Sequence, residues 1–205
     1  HPGIAQIAAS VANEGTDTRT SKQLKEELRS IGGTLSLGSD TDSTVMSASS
    51  LSEFSPRLFE LMSDVAQHPS FPESEVKLAQ GNTIQQIRAS RADAGFLVNE
   101  RFSKAVFGDH PYSFVVADEK SISSLTRADL RSFVSKFYIP NTSHLIVVGD
   151  MDVDKTFAEI EKAFGSWKSG AAPPNENPPV PTRDKRQIYF VNRPGSIQSA
   201  IYIGN

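Results

Sequence analysis

The side chains able to do chemistry in this sequence are few and scattered. There is no cysteine among its 205 residues. That excludes disulfides, thiolate zinc ligands and a thiol nucleophile. The histidines His1, His68, His110 and His144 include no pair at the i, i+4 spacing, with a carboxylate, that places two imidazoles on one helix face over a metal. His68 precedes Pro69 at the end of a helical pattern, where a protonated ring suits the helix dipole. His110 sits in a Gly/Pro turn and reads as a loop hydrogen-bonder, and His144 opens a strand. Asp40 and Asp42 make an acidic turn. It lacks the glycine and distal Glu of a calcium loop and reads as solvated. Ser10 has no histidine at helical spacing to activate it.

Composition narrows the classes further. Hydrophobic residues make up 38% and charged residues 22%, which allows a packed core and argues against general disorder. The net charge is -3, with 21 basic and 24 acidic residues well mixed, so no basic footprint for nucleic acid stands out. No apolar run approaches the length of a membrane-spanning helix. No signal peptide is visible at His1, and the loop-like His1-Pro2-Gly3 fits a chain cut from a longer protein.

The elements follow from periodicity. Ile4, Ile7, Ala8 and Val11 share one helical face over 4–13, and Gly15-Thr16 ends it. Ser21 serves as N-cap for a second helix marked by Leu24, Leu28 and Ile31, which stops at Gly32-Gly33. Residues 34–38 and 44–50 read as strands around a polar turn. Helices are expected over 55–67, 73–91 and about 95–106, with Gly81 weakening the middle one. Thr126 caps another carrying Leu130, Phe133, Val134 and Phe137. A short buried-type strand covers 144–148, and a last helix runs from about 153 to 164. Prolines crowd the stretch from Ser169 to Lys185, which reads as an extended linker. Two strand patterns, 187–192 and 197–203, follow around Arg193-Pro194-Gly195-Ser196. An isolated hairpin is marginal in water, so this one is expected to dock on a vacant sheet edge, in the same chain or a neighbour.

This order resembles one peptidase domain of the pitrilysin/insulinase family, bacterial-type, followed by the first strands of its sister domain. The resemblance rests on Gly3-Ile4-Ala5, Glu14-Gly15-Thr16, Arg19-Thr20, Gly32-Gly33, Phe107-Gly108-Asp109-His110-Pro111-Tyr112 and Val148-Gly149-Asp150 in this order and spacing. It implies an α+β fold, like a mitochondrial-processing-peptidase domain, with helices packed on a mainly antiparallel sheet. It also implies an inactive peptidase-like domain over 1–168, a linker over 169–185 and the opening hairpin of the sister domain over 186–205.

In active members the first helix carries H-x-x-E-H, whose two His grip Zn²⁺ while the Glu takes a proton from the metal-bound water. A Glu on a later helix completes the three-ligand site. The matching positions here are Gln6, Ala9 and Ser10, and the downstream Glu falls near Gln86. Gln and Ser are neutral and poor zinc ligands, and Ala9 cannot move a proton. The resemblance therefore implies no metal, no cofactor and no catalytic residue. It implies instead a non-catalytic half that pairs with a catalytic sister subunit bearing an intact zinc motif, or self-associates, around an unfolded peptide substrate. The Arg and Tyr that such halves commonly supply would lie beyond Asn205. A bacterial periplasmic or cytoplasmic setting is the expectation. One alternative is a structural assembly protein without a peptidase role, as with the family-like core subunits of a mitochondrial respiratory complex. The other is a hydrolase using new residues.

Overall fold

The computed structural model describes residues 1–174 and 177–204. The chain divides into two compact units, one of Gly3–Ala79 with Leu125–Pro173 and the other of Gln80–Ser124 with Pro174–Asn205.

In the first unit, α1 (Ile4–Val11) and α2 (Ser21–Ser30) precede an antiparallel hairpin, β1 (Thr34–Ser39) and β2 (Thr44–Ser49), with Thr34 opposite Ser49 and Ser39 opposite Thr44. The N-cap of α2 is Thr20, not Ser21. Its hydroxyl accepts from the Gln23 amide while the Gln23 side chain accepts from the Thr20 amide, and this reciprocal box fixes the start one residue earlier. In the connection of the hairpin, Asp40 accepts the Asp42 and Ser43 amides at 2.8 and 2.7 Å, so its carboxylate is spent on the turn. The amphipathic α3 (Ser55–Gln67) follows, and α4 (Glu73–Ser90) begins in this unit. The unit closes with α7 (Arg127–Phe137), capped by Thr126 as expected, and α8 (Val153–Phe164). Helix α1 packs on α7 and β1, and α3 packs on α8 and β2. The core is Ile7, Ala8 and Val11 of α1, Leu24 of α2, Leu61 and Val65 of α3, Leu130 of α7, and Phe71.

In the second unit, the remainder of α4 is joined by α5 (Ala94–Phe107) and by α6 (Glu119–Ser124), a short helix absent from the sequence reading. Gln80 donates to the Ile122 carbonyl at 2.7 Å, and Arg88 reaches both oxygens of Glu119. Its buried apolar side chains are Ile87, Ala117 and Ile122, and Thr83, Ser103 and Ser113 are buried with them.

Two expectations are corrected. Residues 144–148 join no ladder among the described residues, and Ile146 and Val148 are 83% and 91% exposed. The segments 187–192 and 197–203 also form no ladder, with each other or with β1 and β2, although their turn closes from the Ser196 amide to the Arg193 carbonyl. A strand pattern, continuous at 144–148 and alternating in the later pair, belongs to one segment, but a strand exists only when a neighbour supplies the ladder. The second pair shows the alternation all the same. Ile188, Phe190, Ile201 and Ile203 are 77–93% exposed, whereas Tyr189 and Tyr202 are about half as exposed. Tyr189 lies under the Arg101 guanidinium, and Tyr202 meets Phe102 edge-on at 5.9 Å between centroids. The outcome is α+β, helices with a small two-stranded antiparallel sheet.

Candidate functional site

Helix α1 presents the positions singled out above. Gly3 caps it with φ 85°, a conformation glycine adopts without steric cost. Ile7, Ala8 and Val11 turn into the core of the unit. Gln6 and Ser10, four residues apart, are both exposed, one turn above the other. Ala9 is 2% exposed, so the position between them is a methyl packed in the core. The Ser10 hydroxyl donates to the Ile7 carbonyl at 2.9 Å. That local bond occupies its proton on the helix backbone. Gln86 is exposed on α4, in the part that belongs to the second unit.

The donors at these positions are two side-chain amides and one hydroxyl, all neutral, and one position has no donor. Zinc sites are built from imidazole, thiolate and carboxylate. This donor set does not fit the ion. Among the described residues no group of three or more His, Asp or Glu side chains is placed to hold a metal. His110 uses its ring within the loop, where Nδ1 accepts the Tyr112 amide at 3.2 Å and the ring meets that of Tyr112 at 4.6 Å. His68 and His144 are exposed.

What the sequence reading missed is an ionic cluster behind the loop that follows α1. Asp64 of α3 is 8% exposed and accepts from Thr16 Oγ1 at 2.7 Å, Thr18 Oγ1 at 2.9 Å and Arg19 Nη1 at 2.5 Å. Arg19 also reaches Glu27 at 3.0 Å and Glu60 at 2.8 Å, and Arg57 closes the cluster onto Glu27 at 2.7 Å. Burial works against the charged guanidinium of Arg19, but the bonds to Asp64 and Glu27 outweigh it and raise its pKa. The loop is tied on its other side by backbone. The Asp17 amide donates to the His68 carbonyl, and the Ser70 amide to the Gly15 carbonyl. The segment Glu14-Gly15-Thr16 and Arg19-Thr20 is thus the clasp that fixes the C-terminal end of α1. The signal available in the sequence was a lone carboxylate inside the apolar run Leu61-Met62-Ser63-Asp64-Val65-Ala66.

Comparison with known proteins agrees with this architecture. Residues 1–119 match the family described as Insulinase (Peptidase family M16), and residues 124–205 match Peptidase M16 inactive domain. Among curated proteins, an uncharacterized zinc protease of Rickettsia felis is 31% identical over 82% of this chain and 41% of its own length. The mitochondrial-processing peptidase subunit beta of Saccharomyces cerevisiae is 24% identical over 83% of this chain and 37% of its own length. The chain thus spans about two-fifths of the length of these relatives. Among solved structures, a peptidase M16 inactive domain from Pseudomonas fluorescens superposes with a TM-score of 0.79 at 22% identity, covering 85% of this chain and 43% of that one. The periplasmic protease PqqL from Escherichia coli gives 0.75 at 21% identity, over 87% of this chain and 21% of that one. The two structural likenesses concern the fold, and the family match over more than half of the sequence concerns descent. The chain belongs to the insulinase family of peptidases, M16.

Proposed function

We propose that this chain is a non-catalytic domain of an M16 assembly, the chamber-forming half that helps enclose an unfolded peptide while a sister subunit with an intact zinc motif cleaves it. The observation that carries this reading is the face of α1. Where the family places His, Glu and His, the chain has exposed Gln6, the buried methyl of Ala9, and Ser10 with its hydroxyl bonded to the Ile7 carbonyl. With Gln86 at the position of the distal Glu, no imidazole or carboxylate is left to hold zinc or to deprotonate a bound water. The scaffold around these positions is intact: α1 is buried along one face and its exit loop is clasped to Asp64. A kept scaffold around an erased site suits a role in shape and partnership. The matched inactive-domain family over 124–205 supports the same reading. We take 1–168 as the peptidase-like domain, 169–185 as the connection and 186–205 as the opening strands of a sister domain, whose outward row of Ile188, Phe190, Ile201 and Ile203 suits burial against further chain.

The test is a mixing experiment. The full-length protein is combined with candidate sister subunits carrying H-x-x-E-H, and hydrolysis of an unfolded peptide is followed. The protein alone is expected to be inert and to raise the rate of its partner. Hydrolysis by the protein alone, stopped by a chelator, overturns the reading. Stable association with no effect on any peptidase would favour a purely structural role.

A further inference from the structure

We propose that the Pro-rich region is held at two points, Gly170 and Pro181, each against its own unit. The first pin lies in the unit that contains Leu125–Pro173. Asn141 Nδ2 donates to the Gly170 carbonyl at 3.0 Å, and Asn141 Oδ1 accepts the Gly170 amide at 3.1 Å. A side-chain amide here pairs with a backbone peptide as a neighbouring strand would, satisfying both polar groups of Gly170. The approach is close. A Cβ added at Gly170 would lie 3.1 Å from Cγ2 of the buried Ile139. Just upstream, Trp167 Nε1 donates to the Tyr138 carbonyl at 3.2 Å, so the chain is fastened before it reaches the pin.

The second pin lies in the unit that contains Pro174–Asn205. Gly108 ends α5 with φ 60° and ψ -115°, a conformation that strains a residue bearing a Cβ. Its bare Cα also makes the seat for a proline ring: an added Cβ would lie 2.7 Å from Pro181 Cγ. The seat is stiff. Lys104 Nζ donates to the Gly108 carbonyl at 2.7 Å, and Phe107 meets Tyr112 edge-on at 5.7 Å across the turn. Proline suits such a pin because its φ is already fixed, so holding it costs little chain entropy. Glycine at two contact points and proline at the ring contact are thus residue choices that a free linker does not need.

Limited trypsin digestion of the intact native protein, followed by mass spectrometry, tests the proposal. Cleavage after Lys168 reports the first pin, and cleavage after Arg183 and Lys185 reports the second. Asn141→Ala should speed cutting at Lys168 by about five- to tenfold and leave Arg183 and Lys185 at the wild-type rate, because cleavage follows the population of the locally open form. Pro181→Ala should do the reverse. Gly108→Ala should match Pro181→Ala, and the latter alone suffices if the glycine variant does not fold. Wild-type rates at each variant's own reporter overturn the proposal. So does a parallel rise at both reporters in both variants, which signals general loosening.

Discussion

Replacing Asp64 with Ala removes the acceptor on which the loop after α1 converges. The carboxylate is 8% exposed and receives two threonine hydroxyls and the Arg19 guanidinium. A neutral hydrogen bond contributes about 1 kcal/mol net and one to a charged group about 1.5–3, and breaking a buried ion pair costs about 3–5. Two features moderate the sum. Arg19 keeps Glu27 and Glu60, and the exposed Thr18 can turn to water. Thr16, 6% exposed, cannot do so as readily. A loss of about 2–4 kcal/mol is therefore expected for Asp64→Ala. For a chain of this length that lowers the unfolding midpoint by about 4–16 °C. Asp64→Asn, which keeps the volume and one acceptor oxygen, should lose about half as much. The chain's single tryptophan, Trp167, lies in the same unit and supplies a local fluorescence probe of its unfolding. A midpoint for Asp64→Ala within about 1 °C of wild type would refute the assignment of this cluster as the clasp on α1.

Two smaller perturbations probe the frame around the site. Thr126→Ala removes one half of the capping box on α7 and should cost about 1 kcal/mol, measured by urea denaturation. Glu14 is opposed by burial, yet the bonds from Lys25 and Ser21 prevail and hold its carboxyl below the ordinary value. A carboxylate with a depressed folded pKa stabilises above its unfolded pKa, and that contribution is lost as pH falls through the folded value. Glu14→Gln should therefore be less stable than wild type near neutral pH, and the gap should close between about pH 5 and pH 3. A gap that stays constant or widens on acidification contradicts the assignment.

Much of this architecture was legible because it is local. Helices α3 and α8 carry clear stripes and sit at 55–67 and near 153–164 as expected. Thr126 announced α7 by its hydroxyl before an amphipathic run. Thr20 and Ser21 both offer a hydroxyl, and only the partner three residues on, Gln23, decides between them. Helix α6 escaped notice because it is six residues long with a single apolar anchor, Ile122. The failures at 144–148 and 187–203 have one cause. An apolar run, as at 144–148, or an alternation, as at 187–203, is a property of one segment, whereas pairing needs a second segment whose presence the pattern does not encode. Asp64 was hidden for a similar reason, since Thr16, Thr18 and Arg19 lie more than forty positions away along the chain. At the candidate site, the identities of Gln6, Ala9, Ser10 and Gln86 were plain in the sequence, but the bond that turns the Ser10 hydroxyl back to the Ile7 carbonyl was visible only in the fold.

The most direct measurement is the zinc content of the purified full-length protein after mild dialysis, with Gln6→Ala and Gln86→Ala run beside it. Neutral amides and a hydroxyl in place of imidazoles and carboxylate should leave well under about one Zn²⁺ per chain, unchanged in either variant. Near-stoichiometric zinc in the wild type that disappears on changing Gln6 or Gln86 would contradict the reading of this chain as a non-catalytic half.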